Sequence, residues 1–280
     1  MAALKIAIAG ASGRMGHALL ESVLRSSDLK LAAALERAGH ASLGKDAGEL
    51  IGSPCGMKIA ADVAKAAAAS DVLVDFTLPE GAMEHLAACR KQGTKMVIGT
   101  TGFSDAQKKE IAAAAKDIGI VVAPNFSVGV NVALRLLEIA AKALDKGYDI
   151  EIFEAHHRHK VDAPSGTALR MGEVVAQALG RDLKKVAVYG REGVTGERKD
   201  ETIAFTTVRG GDIVGDHSVM FIGAGERLEV AHRASSRANF ATGALRAARW
   251  VADKKSGLYD MADVLGFEKA EGGGRKAEGS

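Results

Sequence analysis

The side chains best suited to chemistry are concentrated in Glu154-Ala-His-His-Arg-His-Lys160, which runs on through Asp162-Ala-Pro-Ser-Gly-Thr167. Three of the eight histidines fall between His156 and His159, and Lys160 follows directly. Basic groups crowded this closely depress one another's pKa, which favours proton transfer near neutral pH. Just downstream, the backbone N–H groups of Ser165, Gly166 and Thr167 stand where a helix begins, and a helix N-terminus attracts anions. A substrate that carries a carboxylate and needs a proton would suit both devices.

Two other readings compete. A basic run is often a solvated face, and His156-His-x-His159 offers nitrogen ligands for a metal. No Cys and no His-x-x-x-His pair accompanies these histidines, however, and an extended chain points His156 and His157 to opposite sides. Acid–base work with no metal is therefore the expectation, with ligand geometry as the deciding test.

The flanking pattern positions the cluster. Tyr148-Asp-Ile-Glu-Ile-Phe153 reads as a strand with Ile150 and Ile152 on one face. Ala168, Met171, Val175 and Leu179 recur at helical spacing. The basic residues thus sit at a strand-to-helix junction, with Pro164, Ser165, Gly166 and Thr167 forming the turn.

A second constellation opens the chain. Leu4-Lys-Ile-Ala-Ile-Ala-Gly10 is a nearly continuous apolar run, as in a buried parallel strand. It ends in Gly10-Ala-Ser-Gly-Arg-Met-Gly16, an amphipathic helix follows, and the strand from Leu29 to Leu35 closes with Glu36-Arg37. Glycines permit a tight turn and close approach of a diphosphate, and the helix end supplies N–H donors. Glu36 lies where an acid can accept hydrogen bonds from ribose hydroxyls. The spacing is GxxGxxG rather than GxGxxG, so its force comes from the flanking strands and Glu36. Arg37 could pair with a 2′-phosphate or simply be an exposed loop residue; both NADH and NADPH stay open.

Three more strands, Asp71–Phe76, Lys95–Gly99 and Gly119–Ala123, alternate with helices. Their carboxyl ends carry Thr77, Gly99-Thr-Thr-Gly102 and Pro124-Asn-Phe-Ser127. Doubly wound sheets bind ligands at that edge. Thr100, Thr101 and Asn125 could meet a nicotinamide and its ribose, or equally serve as turn and cap residues. His85 reads as an exposed or capping residue, and Cys89 as a small core residue.

From Val130 a long amphipathic helix is expected, and after the basic cluster and its helix the character changes. Val186–Tyr189, Thr202–Val208, Ile213–Ile222 and Leu228–Ala234 read as strands without intervening helices, which marks a second, α+β domain. Asn239–Ala252 returns to a helical pattern that packs back on the first domain. The expected fold is α/β: an N-terminal Rossmann-like, doubly wound parallel sheet, plus a second α+β domain with an open, mostly antiparallel or mixed sheet. The expected domains are 1–127 with 238–270 for the dinucleotide, 128–237 for substrate and oligomerisation, and a mobile Gly-rich tail at 271–280. Hinge closure about Val128 and Arg237 would follow.

Composition narrows the function classes. A formal net charge of +2 over 280 residues implies neither nucleic acid nor membrane as partner. The cysteines, Cys55 and Cys89, are far apart and suit reduced thiols. No signal-peptide pattern opens the chain and no apolar run reaches membrane-spanning length, so the expected location is cytoplasmic.

Taken together, Gly10–Gly16, Gly99–Gly102, Asn125-Phe-Ser-Val-Gly-Val-Asn131, Glu154–Lys160 and Asp162–Thr167 resemble the 4-hydroxy-tetrahydrodipicolinate reductases, long called dihydrodipicolinate reductases. The resemblance runs in order from about Lys5 to Gly266. It implies a reductase of the diaminopimelate route to lysine, acting on a small cyclic dicarboxylate with NADH or NADPH, and a homotetramer assembled through the second domain's sheet. By position it implies a cofactor site of Gly10, Ala11, Ser12, Gly13, Arg14, Met15, Glu36, Arg37, Gly99, Thr100, Thr101, Ala123, Pro124, Asn125 and Phe126. It makes His156 the acid–base residue, Lys160 the proton donor, and His157, Gly166 and Thr167 substrate contacts. Arg158 and His159 receive no role. Another two-domain dinucleotide-dependent dehydrogenase, or a sensor binding NAD(P)H without turnover, are the rival readings; a sensor has no need of proton donors.

Overall fold

A computed structural model describes residues 2–267. It divides into two compact units, one formed by the chain up to Val128 and the return segment from Ala238, the other by Gly129–Arg237.

The first unit begins β1 (Leu4–Ala9), α1 (Arg14–Leu24), β2 (Leu29–Leu35), a 3-10 turn at Ala47–Ile51, β3 (Ile59–Ala60) and α2 (Val63–Ala69). It continues β4 (Val72–Asp75), α3 (Pro79–Gln92), β5 (Lys95–Ile98), α4 (Asp105–Ala114) and β6 (Gly119–Val122). After α5 (Val128–Ala143) the second unit holds β7 (Asp149–His156), α6 (Gly166–Ala178), α7 (Leu183–Val186), β8 (Ala187–Tyr189), β9 (Ile203–Arg209), β10 (Gly215–Gly223) and β11 (Glu226–Ala234). The chain then returns to the first unit with α8 (Ala238–Ala252), β12 (Gly257–Tyr259) and α9 (Met261–Leu265).

The first unit's sheet is parallel throughout, in the order β12-β6-β5-β4-β1-β2-β3. Its strands are apolar on both faces because both faces are covered. Ile6, Ile8, Val72, Val74, Val97 and Val121 pack with α1 and α8, whereas Ala7, Ala9, Leu73, Met96, Ile98 and Ile120 pack with α2, α3 and α4. The Ala-rich face of α8 lies so close that a Cβ on Gly243 would stand 1.7 Å from the Phe126 carbonyl oxygen.

The second unit's sheet is mixed, ordered β11-β10-β7-β9-β8, with β10 antiparallel to both β7 and β11 and β9 parallel to both β7 and β8. One face carries Ile150, Ile152, Ile203, Phe205, Val219 and Phe221, which bury against α5 and α6.

The expected α/β architecture, with a doubly wound parallel sheet and a second mixed sheet, is thus the observed one. Several details differ. β3, β12, α2, α7 and α9 lack a strong sequence pattern because they are short or almost entirely Ala. β7 also runs further than Phe153, taking Glu154, Ala155 and His156 into the strand. The expected tail at 271–280 lies outside the described residues, as do residues 268–270. Among the described residues no helix is long and apolar enough to cross a membrane.

Candidate active site

The first unit builds a dinucleotide edge. Sheet order reverses between β1 and β4, and open α/β sheets bind dinucleotides at such a switch point. Gly10 turns with φ +69°, a conformation costly for any residue with a Cβ. A Cβ on Gly16 would stand 2.2 Å from the Gly10 carbonyl oxygen, so glycine there lets α1 pack onto the turn. Gly13 caps α1 without a side chain, and no acid occupies its first turn, where Arg14 and Met15 begin the helix. The helix end is left open to an anion.

The Ser12 N–H donates to Glu36 Oε1 at 3.0 Å, and the Arg37 N–H reaches Glu36 Oε2 at 3.3 Å. The acid after β2 therefore touches the glycine turn itself. Ser12 Oγ is buried and has no hydrogen-bond partner among the described residues. Arg37 is exposed. Ala11 is buried in the turn, its N–H donating to the Leu35 carbonyl. A turn shaped by glycines, an open helix end, a ribose-height carboxylate and an orphan hydroxyl fit a dinucleotide.

Further along the edge, the side chains do less than sequence suggested. The Thr100 hydroxyl is buried, 3.0 Å from both Asp75 Oδ1 and the Thr77 carbonyl, so it is committed inside the protein. Asn125 Oδ1 accepts from the Ser127 N–H at 2.9 Å, as an Asx turn does. Ala123 and Phe126 are buried, and Phe126 meets Phe76 edge to face. Gly99 lies under the Phe76 ring, which a Cβ would overlap at 2.1 Å. Thr101 and Pro124 are exposed. Backbone groups rather than the Thr100 hydroxyl are what this edge presents. His85 also corrects its expectation: it is buried, with Nδ1 2.5 Å from Asp75 Oδ2. Cys89 is buried as expected, and burial, with the Asp75 charge behind it, pushes its thiol up to about 12.

The second unit holds the basic cluster. His156 ends β7 almost fully buried, its Nδ1 2.6 Å from Glu154 Oε2. Glu154 is completely buried and also takes Arg209 through two contacts of 2.7 and 2.8 Å, plus the Ser165 N–H at 3.0 Å. Burial alone would raise its pKa. Arg209, then His156 and the Ser165 N–H, outweigh that and hold the carboxyl at about 2. An ionised carboxylate only accepts hydrogen bonds, so His156 carries its proton on Nδ1 and presents Nε2 for exchange. Gly215 leaves room beside that nitrogen: a Cβ there would come within 3.0 Å of Nε2.

The turn after β7 is pinned from outside, with the Gly210 N–H on the His156 carbonyl and the Arg158 N–H on Gly211. His157 Nδ1 is buried without a hydrogen-bond partner. Burial, followed by the charge of Arg237 and of its basic neighbours, lowers the His157 pKa. Lys160 Nζ is not a free charge, since it binds both oxygens of Asp162 at 2.7 and 2.8 Å. The anion site at α6 is narrower than expected as well. The Ser165 N–H is spent on Glu154 and the Ser165 hydroxyl caps Ala168, so Ser165 itself offers nothing to an anion at the start of α6. Arg158 and His159 are exposed.

Sequence reasoning missed Arg209, His217 and the role of Glu154. His217 is buried, its Nε2 2.8 Å from Ser165 Oγ and its ring 5.0 Å from that of His156. Burial, and then the His156 charge, push it down to about 4, so it is neutral near pH 7. The one available signal was Glu154 itself, two residues from His156 on a strand and hence on its face. Among the described residues no three His, Cys, Asp or Glu side chains group as a metal site.

Two family models cover almost the whole chain. Residues 4–126 match dihydrodipicolinate reductase, N-terminus, and residues 129–265 match dihydrodipicolinate reductase, C-terminus. The chain belongs to the dihydrodipicolinate reductase family. Relatives named 4-hydroxy-tetrahydrodipicolinate reductase are 65% identical in Nitrosospira multiformis, over 96% of this chain and 100% of the relative, and 64% identical in Nitrosomonas europaea, over 95% and 100%. Among solved structures, a dipicolinate-bound dihydrodipicolinate reductase from Paenisporosarcina sp. TG-14 aligns with a TM-score of 0.76 at 26% identity, over 94% of this chain and 100% of that one. A probable dehydrogenase from Thermotoga maritima shares the fold, with a TM-score of 0.60 at 12% identity over 93% and 92% of the two chains. The dihydrodipicolinate reductase match thus spans both the dinucleotide edge and the basic cluster.

Proposed function

We propose that His156 and Lys160 handle the proton in the NAD(P)H-dependent reduction of 4-hydroxy-tetrahydrodipicolinate to tetrahydrodipicolinate. Membership of the reductase family makes the chain an oxidoreductase of lysine biosynthesis through diaminopimelate. Its cofactor is NADH or NADPH, for which Gly10–Met15, Glu36 and the backbone at Gly99–Thr101 and Ala123–Phe126 form the fitting edge. The bound nicotinamide supplies hydride.

The substrate loses its 4-hydroxyl as water to give a conjugated imine, whose reduction then consumes one hydride and one proton, and that proton is the protein's own task. The observation that carries the assignment is the 2.6 Å contact of Glu154 on His156 Nδ1, which leaves Nε2 as the exchanging nitrogen beside the space at Gly215. Lys160 is the donor. A substrate carboxylate would compete with Asp162 for its ammonium, so binding and proton delivery draw on one side chain. Gly166 and Thr167 at the start of α6, with His157, would receive a carboxylate. The Paenisporosarcina relative's bound dipicolinate, a dicarboxylate, supports that reading. Arg37 would meet the 2′-phosphate of NADPH.

Assembly into a homotetramer through the second unit's sheet belongs to the same proposal. It is supported by edge strand β11, which has Leu228 open to solvent, since long exposed edges are normally covered. Light scattering at a tetramer's mass is the expected result. A cytoplasmic location is proposed with it.

The test is a coupled assay in which pyruvate and aspartate semialdehyde are condensed by a synthase and loss of NAD(P)H absorbance is followed. Turnover is expected with this chain, and His156→Ala should lower kcat by about 10²–10⁴, the usual worth of acid–base help. Near-wild-type turnover in that variant would remove the role of His156.

A further inference from the structure

We infer that Asp75 and His85 are positioning residues for the nicotinamide half of the cofactor, clamping together the loops that receive it. Asp75 ends β4 fully buried. Its Oδ1 accepts from the Thr77 N–H at 2.8 Å, the Thr77 hydroxyl at 2.8 Å and the Thr100 hydroxyl at 3.0 Å. Its Oδ2 is 2.5 Å from His85 Nδ1, delivered by the second turn of α3. One carboxylate therefore ties the end of β4 to the loop after β5 and to the following helix.

Through Thr77 it reaches β1 as well. The Thr77 methyl lies 3.1 Å from where a Cβ on Gly10 would stand, and its hydroxyl 3.1 Å from a Cβ on Gly81. Thr77 is thus wedged between the phosphate turn and α3. Burying a carboxylate is costly unless each oxygen is paired, and an apolar residue would end a buried strand more simply. Three of the four donors come from loop residues at the carboxyl edge, so the return on that cost is loop geometry.

The half of the dinucleotide concerned follows from sheet order. Glu36 marks the ribose site on the β2 side of β1, and the phosphate turn lies at β1 itself. The part of the cofactor beyond the diphosphate must then lie over β4 and β5, above Thr77 and Thr100. Leu78, 74% exposed immediately after Thr77, gives that edge an apolar surface suited to a flat ring.

Asp75 and His85 would act on cofactor binding alone, apart from the proton roles of His156 and Lys160. Equilibrium titrations of the full chain with NADH, and separately with ADP, which lacks the nicotinamide half, test it. Asp75→Asn should raise the Kd for NADH by about tenfold, the scale of one buried charged hydrogen bond, and raise that for ADP, which meets only the phosphate turn that Thr77 abuts, by clearly less. His85→Gln, at the margin of the network, should show the same selectivity at smaller size and serves if Asp75→Asn does not fold. Equal weakening of NADH and ADP, or no weakening of NADH in either variant, would overturn the inference.

Discussion

Replacing Glu154 with Gln removes one charge from a fully buried position without changing its shape. Glu154 is held at about 2 against an ordinary 4.5, because Arg209, His156 and the Ser165 N–H overcome the effect of burial. As pH falls, the unfolded chain takes up this proton first, so the contribution is complete above about pH 4.5 and is lost as pH falls through about 2. At about 1.4 kcal/mol for each pKa unit, that contribution is about 3 kcal/mol, of which about 2 kcal/mol is gone by about pH 3. Glu154→Gln should therefore be about 3 kcal/mol less stable near neutrality, with Arg209 left short of its counter-ion. The gap to wild type should narrow to about 1 kcal/mol near pH 3. Urea unfolding of both chains across that range measures it. Two stability curves that stay parallel from neutral to acid pH would refute the claim that Glu154 is ionised and paired in the folded state.

Three further substitutions address the two constellations. Lys160→Ala should lower kcat and raise the substrate KM together, by about tenfold or more each, and steady-state kinetics showing a change in KM alone would exclude its donor role. Arg37→Ala should weaken NADPH by about tenfold and spare NADH; equal weakening in paired titrations would remove the phosphate contact. Gly16→Ala forces a Cβ to within 2.2 Å of the Gly10 carbonyl oxygen and 2.4 Å of that of Ala11. It should cost about 1–3 kcal/mol and abolish tight nucleotide binding, and a wild-type melting curve with wild-type NADH affinity would show that the turn yields freely.

What was legible in the sequence was local. The turn Gly10–Gly16 announces itself because a buried apolar strand, glycines and an amphipathic helix follow within one turn of chain, and Glu36 falls at a readable distance. What was hidden is pairing across distance. His85 looks like any exposed helical residue until β4 delivers Asp75 beneath it. Arg209 lies 55 residues from Glu154, and His217 lies 52 from Ser165. Neither partner carries a mark of the other, because the mixed sheet sets their proximity. Ser165 and Lys160 show the reverse error, since groups that looked available turn out to be engaged by Glu154 and Asp162.

The return of the chain at Ala238 has a consequence for synthesis. Ala241, Ala244, Leu245, Ala248 and Val251 of α8 complete the core behind β1, β4 and β5, and β12 supplies the edge beside β6. On the ribosome, everything up to Val128 therefore emerges with one face of its parallel sheet only partly covered, by α1 without α8. The unit begun second, Gly129–Arg237, is contiguous and is fully synthesised first. The nascent chain must carry an unfinished nucleotide fold through the making of more than a hundred residues, and a nonsense codon shortly after Arg237 would strand it there. Chaperone dependence during translation should accordingly track the first unit, although it is the first to leave the tunnel.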